Sequence, residues 1–143
     1  MVVLDAAART LLAGPNYGVL STLMADGSPH AATVWVGVEG DHALVATTRQ
    51  SQKYRNVVRD PRVALTVSEA GDPLHELCLR GRVVTIREDQ GRLIDHLSEQ
   101  YYGVTPYPDH EEGTEWVALV IAPLICRVDR YPWPAAALRK GLT

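Results

Sequence analysis

The chain has 143 residues, 14 of them basic and 17 acidic, for a net charge of −3, a length that fits one domain spanning 1–143 with its own core. Its composition, 46% hydrophobic and 22% charged, is that of a globular protein, and mild acidity argues against a nucleic-acid surface, which is normally broader and more basic. No stretch approaches the roughly 18 apolar residues of a membrane span, and Met1-Val2-Val3-Leu4-Asp5 lacks the pattern of a signal peptide, so a cytoplasmic protein without nucleic-acid or membrane partners is expected.

Asp5 is placed to cap a short helix, about Ala6 to Ala13, stopped by Gly14-Pro15. Tyr17 to Met24 reads as a strand, Ala25-Asp26-Gly27-Ser28 as a hairpin turn, and Pro29 to Val38 as the return strand. A second turn at Glu39-Gly40-Asp41 leads to a strand over His42 to Thr47, completing an antiparallel meander. A short helix is expected over Gln50 to Val58, ending near Asp60-Pro61. Arg62 to Ser68 forms the fourth strand, and Leu74 to Arg87 a long fifth that bends at Gly81. A helix follows from Glu88-Asp89 to Tyr102, with Leu93, Ile94, Leu97 and Tyr101 at helical spacing. Gly103 to Pro108 is a Pro-rich loop. Glu115 to Tyr131 is the last strand, with a bulge or edge position at Pro123. Six antiparallel strands with short links point to a closed barrel, and the absence of GxGxxG after the first strand leaves a dinucleotide fold unsupported.

The chemistry-bearing stretch runs from Thr47 to Arg62. Arg49, Lys53 and Asn56 are spaced to share one helix face, and Thr47, Thr48 and Ser51 stand near the helix start. Free N–H groups, hydroxyls and cations at a helix start form a phosphate site. A solvated basic face is the other reading of the same spacing. Local contrast favours a small anionic ligand: Arg49, Lys53, Arg55, Arg59 and Arg62 face only Asp60 within a chain that is acidic as a whole. Elsewhere, His110-Glu111-Glu112 with Glu115 lacks a second histidine, and no metal is expected. Cys78 and Cys126, without CxxC spacing, read as reduced, buried and inert thiols. Along Ser28 to Trp35 the side chains alternate, with Ala31, Thr33 and Trp35 on one face and His30, Ala32 and Val34 on the other. Trp35 is open to a role in core, interface or cofactor wall.

Taken together, Gly18-Val19-Leu20-Ser21-Thr22-Leu23, Asp26-Gly27-Ser28-Pro29-His30, Thr33-Val34-Trp35, Thr47-Thr48-Arg49 with Lys53 and Asn56, Asp60-Pro61-Arg62-Val63-Ala64-Leu65 and Leu79-Arg80-Gly81-Arg82-Val83 resemble the pyridoxamine-phosphate-oxidase-like split β-barrel family. The nearer likeness is to its deazaflavin (coenzyme F420) branch, common in actinobacteria. The resemblance implies a mainly β fold with short helices: a six-stranded antiparallel split β-barrel of the FMN/F420-binding type, forming a homodimer with cofactor grooves at the interface. It implies that Arg49 and Lys53 hold the cofactor phosphate, with Thr47, Thr48, Ser51, Gln52 and Asn56 around it. Thr33, Val34 and Trp35 would lie along the ring, and the partner's Leu79–Arg82 strand and Tyr131–Trp133 segment would close the groove. The tail Pro132–Thr143 lacks the histidine of the vitamin B6 oxidases' substrate motif, and the haem-degrading branch carries extra histidines and a longer chain.

The function implied is an F420H2-dependent reductase passing a hydride to a small conjugated acceptor. An FMN-dependent oxidoreductase, a non-catalytic F420 or flavin carrier, and a dimer with a vestigial groove remain open. The excess of Arg49, Arg55 and Arg59 suits the acidic tail of F420, which FMN lacks. Loops near Gly71-Asp72-Pro73 and Thr105-Pro106-Tyr107 are expected to shape the pocket. No proton donor is assigned.

Overall fold

The structure is a computed structural model that describes residues 2–131. Helix α1 (Ala6–Ala13) starts where Asp5 accepts the Ala8 N–H at 2.8 Å. Strands β1 (Gly18–Leu23), β2 (Pro29–Val34), β3 (Val36–Glu39) and β4 (His42–Thr48) follow, then α2 (Gln52–Arg59), β5 (Arg62–Glu69), β6 (Asp72–Glu88), α3 (Arg92–Tyr102) and β7 (Trp116–Arg130). All pairings are antiparallel, in one seven-stranded sheet of order β2-β1-β5-β6-β7-β4-β3.

Six strands were expected and seven form. The expected return strand Pro29–Val38 divides at Trp35. Its first half pairs with β1, where Val34 faces Gly18, and its second half with β4, where Val36 faces Val45. The two edge strands of the sheet are therefore neighbours in the chain, joined by one residue, so the sheet curls until its edges meet at Trp35.

Alternation sends Val63, Leu65 and Val67 of β5 inward, where they meet Leu20, Leu77, Leu79, Leu119 and Ile121. Helix α1 packs on β3, β5, β6 and β7 and drives Leu11 and Leu12, 2% and 0% exposed, into that core. Each contributes about 1.5–3 kcal/mol by leaving water. The bend expected at Gly81 is a bulge. Arg80 pairs with Ile125 and Gly81 with Pro123, so Leu124 is the extra residue and Pro123 sits where the ladder is already broken.

Helix α2 begins at Gln52, not Gln50, because Ser51 stays extended and its hydroxyl accepts the Tyr54 N–H at 3.2 Å. Helix α3 begins four residues late because β6 runs on to Glu88, and Asp89 then accepts the Gly91 and Leu93 N–H groups. Cys78 and Cys126 are free thiols, half-buried rather than buried. Cys78 pairs with Arg127 and Leu79 with Cys126, so the two thiols face opposite sides of the sheet, and burial pushes both up from the ordinary thiol range. Among the described residues no helix is long and apolar enough to cross a membrane.

Candidate functional site

A cavity of about 330 Å³ lies beside the Trp35 junction. Thr33, Val34 and Trp35 form one wall, and Ala46, Thr47 and Thr48 of β4 another. Ser51 and Lys53 add a hydroxyl and a cation, and Ile94, Leu97, Tyr107, Trp116 and Tyr17 complete the lining. One part of the lining carries hydroxyls and a cation, another aromatic rings, and the two meet where Trp116 pairs with Thr48.

The polar part is set by the strand-to-helix turn. Thr47 is buried and its Oγ1 lies 2.7 Å from Ser51 Oγ. Ser51 caps Tyr54, and the Arg55 N–H bonds Ser51 O, leaving the Gln52 and Lys53 N–H groups free among the described residues. Lys53 is half-buried, forms no ion pair among the described residues, and burial pushes its ammonium below the ordinary lysine range. A desolvated cation beside two hydroxyls and free N–H groups has the chemistry to accept an anion such as a phosphate.

The other part is a set of rings. Trp35 lies 5.2 Å from Tyr101 and 5.5 Å from Tyr102, and Tyr107 meets its edge at 6.0 Å. Tyr107 also stands 5.8 Å from Trp116. Tyr101 braces Trp35 from behind: its hydroxyl donates to Asn16 O at 2.7 Å and accepts the Val36 N–H at 2.8 Å, and burial pushes its hydroxyl up to about 12. The Trp116 indole nitrogen is buried without a partner among the described residues, a spare donor at the cavity wall.

Of the ten residues read as cofactor-binding, Thr33, Val34, Trp35, Thr47, Thr48, Ser51 and Lys53 line this cavity, and Arg49, Gln52 and Asn56 do not. The shared helix face assumed for Arg49, Lys53 and Asn56 does not exist, because Arg49 precedes the Ser51 cap. Its guanidinium bonds the Tyr54 hydroxyl and the Glu88 carboxylate instead. Asn56 is fully buried and donates to Thr22 Oγ1 at 2.9 Å, while Gln52 donates to Asn56 Oδ1 at 2.8 Å. Arg55 bonds Gln50 O and Gln52 Oε1, and Arg59 bonds Leu23 O and Asn56 Oδ1, so these cations are engaged within the chain. Asp72-Pro73 belongs to β6, away from the cavity, whereas Tyr107 lines it. Trp133 lies outside the described residues. Sequence reasoning missed Tyr17, Ala46, Ile94, Leu97 and Trp116 as cavity residues. Leu97 and Ile94 were visible only as a helix stripe, and Trp116 only as the start of a strand.

A barrel closed on itself, with a cleft that joins a cation and hydroxyls to an aromatic wall, is the fold of flavin- and F420-type oxidoreductases. The chain belongs to the pyridoxamine 5'-phosphate oxidase family, whose model matches residues 4–124. Among solved structures, an F420 reductase is 30% identical with a TM-score of 0.76, covering 87% of this chain and 98% of its own. A conserved hypothetical protein from Mycobacterium tuberculosis is 24% identical with a TM-score of 0.73, covering 94% and 92%. A heme binding protein from Mycobacterium smegmatis is 24% identical with a TM-score of 0.62, covering 92% of this chain and 57% of its own. The latter two show likeness of fold alone. A comparison with curated proteins finds no match.

Proposed function

We propose that the chain is an F420H2-dependent reductase that passes a hydride to a small conjugated acceptor. The observation that carries this reading is Lys53, half-buried and, among the described residues, without an ion-pair partner, in a cavity lined by hydroxyls and aromatic rings. The likeness to an F420 reductase at 30% identity supports deazaflavin over FMN. Lys53, Thr47, Thr48 and Ser51 would hold the phosphate, and Thr33, Val34 and Trp35 would lie along the ring. When bound, the reduced deazaflavin supplies the hydride. The chain's own residues bind and orient, and Trp35, Tyr107, Ile94 and Leu97 exclude water from the ring.

We further propose that a second copy completes the groove. Val19 of β1 stands between Thr33 of β2 and Thr66 of β5, and Ser21 between Ala31 and Ala64, giving an outer face of small residues around an exposed Val19. Thr33 belongs both to this face and to the cavity. Sedimentation at micromolar protein is expected to show a dimer; a stable monomer refutes the shared groove.

The test is fluorescence titration of cofactor-free protein with F420 and, separately, with FMN. Tight F420 and weak FMN binding supports the reading, and screening quinones, nitroaromatics and tetrapyrroles with F420H2 then separates a reductase from a carrier. Preference for FMN moves the assignment to a flavin enzyme. Binding of neither removes it.

A further inference from the structure

Loop 103–115 joins α3 to β7 and carries Tyr107 to the cavity. Connections this long without their own helix or strand are uncommon and usually functional. Its ends are tied to regular structure: the Gly103 N–H caps α3 by bonding Glu99 O, and Glu115 O accepts the Arg49 N–H. Between these ends, among the described residues, only Asp95 bonds the loop to the body. One oxygen of its carboxylate accepts the Tyr107 N–H at 2.8 Å and the His110 Nε2–H at 2.6 Å. Burial opposes the Asp95 charge, but these two donors prevail and hold the carboxyl below the ordinary aspartate range. The imidazole has a prepared seat. Gly91 stands at φ +82°, and a Cβ there would lie 2.9 Å from His110 Cε1. The ring also meets Tyr107 edge-on at 5.5 Å and Trp116 at 6.2 Å.

Tyr107 is shared by two neighbouring cavities, the 330 Å³ cleft and a polar one of about 490 Å³, as are Thr48 and Trp116. Thr48 and Trp116 are fixed in paired strands; Tyr107 stands on the loop and holds its place through Asp95 and His110. We propose that Asp95 and His110 are positioning residues that fasten Tyr107 as the partition between the two cavities, against the edge of Trp35. The pair thereby keeps the cleft in its ligand-binding form. This rests on the reading that the cleft takes a planar cofactor.

The test compares wild type with Asp95→Ala, His110→Ala, His110→Gln and Tyr107→Ala, each titrated with F420 and with FMN. Loosening the loop lowers the fraction of protein in the binding-competent form. Asp95→Ala and His110→Ala are therefore expected to weaken the preferred ligand about fivefold or more. His110→Gln, whose amide N–H can replace the ring donor, recovers most of that. In a Tyr107→Ala background, adding Asp95→Ala has no further effect, because both act through one side chain. Unchanged affinity in the two alanine variants, or fully additive losses in the double variant, overturns the proposal. A wild type that binds neither ligand is a separate failure, that of the cofactor reading. The fastening is then read without ligand, from the exchange rate of the Tyr107 amide in His110→Ala. Faster exchange supports it and an unchanged rate overturns it.

Discussion

Asn56 and Lys53 stand three residues apart on one helix, and on the proposed function they have opposite jobs. Asn56→Ala removes four side-chain hydrogen bonds: to Thr22 Oγ1 at 2.9 Å and Met24 Sδ at 3.5 Å, from Gln52 Nε2 at 2.8 Å and from Arg59 at 3.0 Å. At about 1 kcal/mol each, less for the long Met24 sulfur contact and the half-buried Arg59 contact and more for the Thr22 hydroxyl left buried without its donor, the loss is about 3 kcal/mol. For a chain of this size that lowers Tm by about 10 °C. Lys53→Ala, by contrast, removes a charge-assisted contact from the ligand alone. It is expected to weaken F420 binding by about 1.5–3 kcal/mol, roughly 10- to 150-fold, while Tm moves by under about 2 °C. Thermal unfolding by circular dichroism and ligand titration well below each Tm separate the two effects. An Asn56→Ala variant that melts within about 3 °C of wild type, or that is fully folded yet loses affinity as Lys53→Ala does, refutes the division of roles.

Arg49→Ala should cost less affinity than Lys53→Ala in the same titration, because the Arg49 guanidinium is already held by Tyr54 and Glu88. Gly81→Ala should lower Tm by about 10 °C or prevent folding: a Cβ there would lie 2.2 Å from Ala122 O and 3.1 Å from Pro123 Cα, both backbone atoms. The Arg62 guanidinium holds the Asp60 carboxyl down at about 2. Because the folded value is depressed, the contribution to stability is present above the ordinary aspartate value, about 3.9, and is lost as pH falls toward 2. Arg62→Ala should therefore melt earlier than wild type at neutral pH, with the gap closing in acid. The carboxyl carbon of Asp60, followed by NMR, should then titrate higher than in wild type, with the backbone N–H of position 62 still holding it below the ordinary range.

Local chemistry made much of the fold legible. The Asp26-Gly27 turn, the alternation of Val63, Leu65 and Val67, and the conflict of Pro123 with a continuous ladder all act over a few residues. The break at Trp35 leaves no such mark. Alternation runs through it undisturbed, and only the closing of the sheet decides that Val34 pairs on one edge and Val36 on the other. At the site, Thr47, Ser51 and Lys53 could be read as neighbours because a helix start gathers them in a short window, and all three line the cavity. Arg49 misled because its spacing has meaning only if the helix includes it, and the Ser51 hydroxyl ends that possibility. Asn56 misled because its partner, Thr22, is 34 residues away. Trp116 reaches the cavity from the start of β7, so no window of sequence could join it to Trp35.

Because a single residue links the first and last strands of the sheet, Trp35 works as a buckle. A ring packed against it would resist the parting of β2 from β3 as well as fill a cleft. Ligand occupancy should then tighten the whole hoop of strands, slowing amide exchange along Pro29–Val34 and Val36–Glu39 even where no atom touches the ligand. A barrel fastened in this way makes its own closure the messenger, carrying news of an occupied cleft round the sheet to residues on its far side.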